Sequence, residues 1–121
     1  MYTIGIDIGG MSVKVGLVDE KGNIIEKNVE KTIPGYQNVV NNMVSQVNRL
    51  LKSNNLTIKD IKGIGVGCPG AVSGKKGIID VLPNLDWENV PLVKLLQDAL
   101  GVKVVISNDA NVAHLAEAVF G

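Results

Sequence analysis

The sequence predicts a single α/β domain: a mixed five-stranded sheet with elements in the order β-β-β-α-β-α-β-α and a small inserted hairpin. Three observations carry this prediction. Apolar residues in the first segments alternate with a period of two, the mark of half-buried strands. After Pro34-Gly35 the period becomes helical. From there, β-branched apolar runs alternate with helical runs, the pattern of βα units on a parallel sheet. An antiparallel meander continued by right-handed βα units gives a mixed sheet covered by helices.

Each element has its own local reason. Tyr2 to Ile8 sets Ile4, Ile6 and Ile8 on one face and Gly5 and Asp7 on the other. Val13 to Val18 repeats the alternation through Val13, Val15 and Leu17. Asp19-Glu20-Lys21-Gly22-Asn23 is turn chemistry, and Ile24 to Lys31 is a third, more polar strand whose charges suit a sheet edge. Val39, Val40, Met43, Val44, Val47, Leu50 and Leu51 recur at helical spacing, ending near Asn54-Asn55. Ile61 to Cys68 is an apolar strand broken by glycines. Ala71-Val72 and Ile78 to Val81 flank Ser73-Gly74-Lys75-Lys76-Gly77 as a hairpin. Pro91 to Leu100 is a helix with proline in its first turn and Gly101 past its end. Val102 to Ile106 is a strand running into Asn108-Asp109, and Ala110 to Phe120 is a last, alanine-rich helix. This order is the pattern of a ribonuclease-H-like or actin-like nucleotide-binding half.

Composition narrows the function. The 121 residues suffice for one hydrophobic core, and apolar residues make up 45% of them, so a folded domain is expected. Twelve basic and twelve acidic side chains cancel to a formal net charge of zero. A nucleic-acid binder would show a basic excess and stacking aromatics, whereas the aromatics here are Tyr2, Tyr36, Trp87 and Phe120. No apolar run reaches the ~18 residues of a membrane span, and Tyr2 to Ile8 is too short, and interrupted by Asp7, to be a signal segment. A single cysteine, Cys68, excludes an internal disulfide framework, and a reducing, cytoplasmic location is expected. Of the fourteen glycines, Gly5, Gly9, Gly10 and Gly16 fall in the first apolar block and Gly63, Gly65, Gly67 and Gly70 in another, where they mark bends or close approach of backbone or ligand.

Two segments carry candidate chemistry. Asp7-Ile8-Gly9-Gly10 closes an apolar strand with a carboxylate and a tight turn. Its backbone N–H groups can face a phosphate, and Asp7 can hold a hydrated Mg²⁺, an ion that takes few carboxylates beside phosphates and waters. The competing reading is a plain hairpin turn with a solvated aspartate. Asn108-Asp109 lies where a strand meets a helix, at the strand ends where ligands gather in α/β sheets. Asp109 can take a proton from a substrate hydroxyl while Asn108 fixes a neighbouring one. Here the competing reading is a helix N-cap, and the two roles are compatible.

Other patterns are weaker. Gly65-Val66-Gly67-Cys68-Pro69-Gly70 has dinucleotide-fingerprint spacing, with Asp86 about twenty residues on. That fingerprint opens a helix, whereas Pro69-Gly70 leads into a hairpin, so a Rossmann site is rejected. A P-loop is rejected too, because Gly70 and Gly74 are one residue too close and Lys76 stands where Ser or Thr is required. Cys68 reads as a buried structural thiol and His114 as an ordinary helix histidine. Trp87 reads as a packing residue.

Taken together, Gly5-Ile6-Asp7-Ile8-Gly9-Gly10, Gly65-Val66-Gly67-Cys68-Pro69-Gly70, Leu82-Pro83-Asn84-Leu85-Asp86-Trp87 and Asn108-Asp109-Ala110-Asn111, with Glu117 and Gly121, resemble the ROK family of bacterial sugar kinases and related repressors. The match is to the N-terminal lobe of a glucokinase-like member. This resemblance implies phosphoryl transfer from ATP–Mg²⁺ to a hexose or N-acetylhexosamine hydroxyl. It assigns Asp7, Gly9, Gly10 and Ser12 to the nucleotide and its metal, Gly70, Asn84, Asn108 and Asp109 to the sugar, and the general-base role to Asp109. Where members of the family carry Thr and then Lys or Asn after the paired glycines, this chain has Met11 and Ser12, so a phosphate-facing hydroxyl is available one position later. The resemblance also implies a C-terminal lobe beyond Gly121, carrying the family's Cys/His zinc motif and the adenine site. The chain is therefore expected to be one lobe, inactive alone, with apolar surface near its last helix that favours a homodimer. The alternative is the sugar-sensing half of a ROK-type regulator, against which the neutral charge and the retained Asp109 weigh. A ribonuclease-H-like nuclease would need more clustered carboxylates than Asp7 and Asp109.

Overall fold

Strands β1 (Tyr2–Ile8) and β2 (Ser12–Val18) pair antiparallel, Thr3 opposite Val18 and Ile8 opposite Val13. Strand β3 (Ile24–Lys31) adds antiparallel to β2. In this computed structural model, residues 1–9, 11–33, 35–67, 71–73, 78–82, 87–107 and 114–116 are described. The β2–β3 turn is organised by Asp19, whose carboxylate accepts the N–H groups of Lys21 and Asn23, both at 2.9 Å. The Asn23 amide above all, joined by that of Lys21, holds the Asp19 carboxyl below its ordinary pKa.

Helix α1 (Tyr36–Ser53) begins after Gly35, whose φ of +96° lies in the region that favours glycine. It ends at Asn54, whose side-chain amide donates to the Leu50 carbonyl at 2.7 Å. A 3-10 turn, Ile58–Asp60, then leads into the next strand; in its capping box the Thr57 N–H donates to the Asp60 carboxylate at 2.8 Å. Such a short turn leaves no periodicity in the sequence.

Strand β4 (Ile61–Gly67) pairs parallel with β1, and β8 (Val104–Ser107) pairs parallel with β4. The five-stranded sheet thus has the order β3-β2-β1-β4-β8. Between β4 and β8 the chain forms β5 (Ala71–Ser73), β6 (Ile78–Leu82) and β7 (Trp87–Val90), then α2 (Leu92–Leu100). The expected hairpin is therefore two strands of a three-stranded antiparallel sheet, because Trp87–Val90 pairs with β6 through Leu82–Trp87, Val81–Glu88 and Ile79–Val90. Four residues with two polar ones among them show no strand pattern until β6 supplies a partner. Pro91 stands just ahead of α2, and Gly101, at φ +69°, ends the helix by donating its N–H to the Gln97 carbonyl at 2.7 Å. Strand β8 starts two residues later than expected, where the Lys103 carbonyl accepts the Ile64 N–H at 2.8 Å. His114, Leu115 and Ala116 are helical, within the expected last helix.

The two faces of the sheet differ in kind. On one, Ile4, Ile6, Ile8, Val13, Val15, Leu17, Ile64, Val66, Val104 and Ile106 form the core with α1 (Val39, Met43, Val47, Leu50) and α2 (Leu92, Leu96). On the other, Gly16, Gly5 and Gly65 are neighbours across β2, β1 and β4, and the last helical residues lie close against this glycine row. Val18 and Ala116 pack together there. Strict alternation in β1 and β2 produces this division, since a strand's successive side chains point to opposite faces.

Candidate functional site

Because β1, β4 and β8 run parallel, their carboxyl ends reach one edge of the sheet. On the glycine-lined face, the cross-strand row at that edge reads Lys14, Asp7, Gly67 and Ser107. Asp7 and Ser107 are two strands apart, about 10 Å at the usual strand spacing. Asn108 and Asp109 follow Ser107 directly in sequence. Gly67 leads likewise into the Cys68-Pro69-Gly70 segment.

Asp7 is half-buried within β1, not in the turn that follows it. Burial raises its carboxyl pKa above the ordinary 3.8, and the positive charge of Lys14 on the adjacent strand opposes that rise. A partly desolvated carboxylate at a strand end is suited to meeting a cation. Among the described residues no cluster of three or more His, Cys, Asp or Glu side chains could hold a metal. A protein cage for an ion is therefore not built from them. One carboxylate does fit Mg²⁺, which keeps waters and phosphate oxygens as its other ligands.

The turn beside Asp7 is tied down on several sides. The Gly9 N–H donates to the Ser12 carbonyl at 2.9 Å, which closes the hairpin. That donor is thus engaged within the turn and not turned toward a phosphate as the sequence reading expected; what Gly9 contributes is space, since a Cβ there would come within 3.1 Å of the Ser12 carbonyl oxygen. The Gly9 carbonyl accepts the Thr32 hydroxyl at 3.2 Å. The Met11 carbonyl accepts the Thr32 N–H at 3.0 Å, while the Met11 side chain is 86% exposed. Ser12 is half-buried at the start of β2.

The structure thus brings Asp7, Gly9 and Ser12 together around one turn. Gly10, Gly70, Asn84, Asn108 and Asp109 lie outside the described residues, as do Cys68, Glu117 and Gly121. Two neighbours escaped the sequence reading. Lys14 was readable in principle, because pairing Gly9 with Ser12 and Ile8 with Val13 necessarily sets Lys14 opposite Asp7. Thr32 was not, since nothing local says that the end of β3 meets the β1–β2 turn.

Comparison with known proteins gives a consistent picture. Residues 3–121 match the ROK family. The chain is 38% identical over 122 residues to a glucokinase of Thermotoga maritima, covering 98% of this chain and 37% of that protein. It is 32% identical over 120 residues to a xylose repressor of Caldicellulosiruptor bescii, covering 98% of this chain and 30% of that protein. Among solved structures, a ROK family glucokinase from Streptomyces griseus in complex with glucose and AMPPNP superposes with a TM-score of 0.79 at 33% identity, over 92% of this chain and 34% of that one. The chain thus spans about a third of the length of the relatives it matches. The family match covers nearly the whole chain, and the chain belongs to the ROK family.

Proposed function

We propose that this chain is the N-terminal lobe of an ATP-dependent hexose kinase. The observation that carries the reading is the row at the sheet edge, in which Asp7 and Ser107 lie two strands apart on one face. Asp7, Gly10 and Ser12 then belong to the nucleotide phosphates, with Gly9 closing the turn beside them, and Gly70, Asn84, Asn108 and Asp109 to the sugar. Asp109 accepts the proton of the attacking hydroxyl, and Asn108 holds an adjacent hydroxyl in place. Asp7 is the residue that would hold Mg²⁺, which would supply neutralisation of charge at the transferring group. A hexose hydroxyl is a poor nucleophile, so positioning beside a base is the protein's main contribution.

The substrate class is a hexose or N-acetylhexosamine, and the glucose and AMPPNP bound by the Streptomyces griseus relative support the sugar and the ATP side of the reading. The whole protein is taken as a cytoplasmic homo-oligomer, a dimer, that uses neither nucleic acid nor a membrane. Among the described residues no helix is long and apolar enough to cross a membrane. The lobe alone is proposed not to turn over sugar efficiently; turnover by the purified 121-residue chain, free of host kinase, refutes that.

The test is a coupled phosphorylation assay of the whole protein over a panel of hexoses, wild type beside Asp109→Asn. Activity on a sugar that falls about 10²- to 10⁴-fold in the variant supports the kinase and its base. The second reading, a sugar-sensing regulator domain, draws its support from the likeness to the xylose repressor. Sugar binding without phosphoryl transfer selects it.

A further inference from the structure

Lys14 stands directly opposite Asp7, with Val29 of β3 on its other side. It is half-buried, and its positive charge acts on the Asp7 carboxyl. The two nevertheless form no ion pair: among the described residues such pairs join Met1 with Glu20, Arg49 with Glu30, and Lys94 with Asp98. Among those residues the Lys14 ammonium has no hydrogen-bond partner either.

Charges on the first three strands are sorted by face. The β3 carboxylates turn toward α1, Glu30 meeting Asn42 and Arg49, and Glu26 meeting Ser53 and Asn54. The face that bears Asp7 carries Lys14, Lys27 opposite Gly16, and Lys31 opposite Ser12. Three ammonium groups there accompany one carboxylate, in a chain whose formal net charge is zero. Such a local excess attracts anions. Lys27 and Lys31 are exposed; Lys14 is the one half-buried and next to Asp7. Partial burial reduces screening by salt, and a compact ammonium binds phosphate as a point charge. Asp7 on its own would repel the phosphates assigned to it, and the neighbouring cation reverses that.

We propose that Lys14 is a nucleotide-binding residue, whose ammonium group contacts the phosphates of ATP at the edge of the sheet that bears Asp7. This rests on the kinase reading above.

The test uses the full-length protein with Lys14→Met and Lys14→Arg. Methionine keeps an unbranched apolar stem and removes the charge, and arginine restores the charge. Calorimetric titration with ATP–Mg²⁺ is expected to show affinity weakened ~10-fold in Lys14→Met, the value of a hydrogen bond to a charged group. Affinity recovers in Lys14→Arg, and sugar affinity is the same in all three. The loss in Lys14→Met persists when ATP is titrated with the Mg²⁺ chelated, because the contact is with phosphate and not with the metal. If methionine does not fold, Lys14→Gln supplies the same comparison. Unchanged ATP affinity without the charge overturns the proposal, as does equal loss of ATP and sugar affinity, or arginine binding ATP no better than methionine. A loss that vanishes on chelation means that Lys14 acts only through Asp7, and overturns it too. If the wild type binds no ATP, the kinase reading falls and this proposal with it; if wild type and Lys14→Met bind ATP alike, the kinase reading stands.

Discussion

A methyl group placed on Gly65 would sit 1.8 Å from the carbonyl oxygen of Leu115. Strand β4 and the last helical residues therefore meet backbone to backbone, with no room for any side chain between them. The contact lies on the same face as Asp7, so it sets how closely the helix after Asn108-Asp109 approaches the sheet.

Gly65→Ala is expected to destabilise the protein by about 1–3 kcal/mol, the range for overpacking a filled interior. The obstacle is backbone, which cannot rotate aside. Gly101→Ala provides a contrast: nothing lies within 4 Å of its Cβ position, yet its φ of +69° makes alanine cost about 1–2 kcal/mol. Urea unfolding measures both. On the proposed kinase reading only the Gly65 variant should also disturb sugar binding by the whole protein, and a Gly65→Ala protein as stable as wild type would refute the close contact.

Asp7 is expected to cost stability at neutral pH. Its pKa is higher folded than unfolded, because burial outweighs the attraction of Lys14. The native state then holds the proton more tightly, and stability falls as pH rises from the unfolded value near 3.8 through the higher folded one. Asp7→Asn should melt at a slightly higher temperature than wild type at pH 7, with the difference closing as the pH falls toward 3.8. On the proposed kinase reading, the same variant of the whole protein should lose ATP–Mg²⁺ affinity. A stabilised protein that binds nucleotide less well is the signature of a carboxylate kept for function. Equal melting temperatures at pH 7 would remove the burial argument.

Thr3 offers a gain without a functional cost. Its hydroxyl is buried and has no hydrogen-bond partner among the described residues. Thr3→Val keeps the shape and removes the desolvated polar atom, and should raise stability by about 1 kcal/mol. Denaturant midpoints decide it, and a destabilised variant would mean that the hydroxyl is satisfied in solution.

How much was legible in advance depended on range. The two hairpin strands, helices α1 and α2 and the glycine after α2 declared themselves through period-two and helical spacing and through turn chemistry. Trp87–Val90 did not, because a four-residue strand with Glu88 and Asn89 in it exists only by pairing with β6. The Asp7-Ile8-Gly9-Gly10 motif was readable as residue types. That the Gly9 N–H is spent on closing the turn, and that Thr32 braces it, was not.

Local pattern and motif, then, determined which residues form strands and helices, which face of β1 is apolar, and which family the chain resembles. These follow from backbone sterics and side-chain periodicity within a few residues. Only the tertiary structure decided that Lys14, Asp7, Gly67 and Ser107 form one row, that Thr32 meets Gly9, and that Leu115 lies against Gly65. Those are matters of strand order and register. They are settled by burying the Ile4, Ile6 and Ile8 face against α1 and α2, a condition that no short stretch of sequence contains.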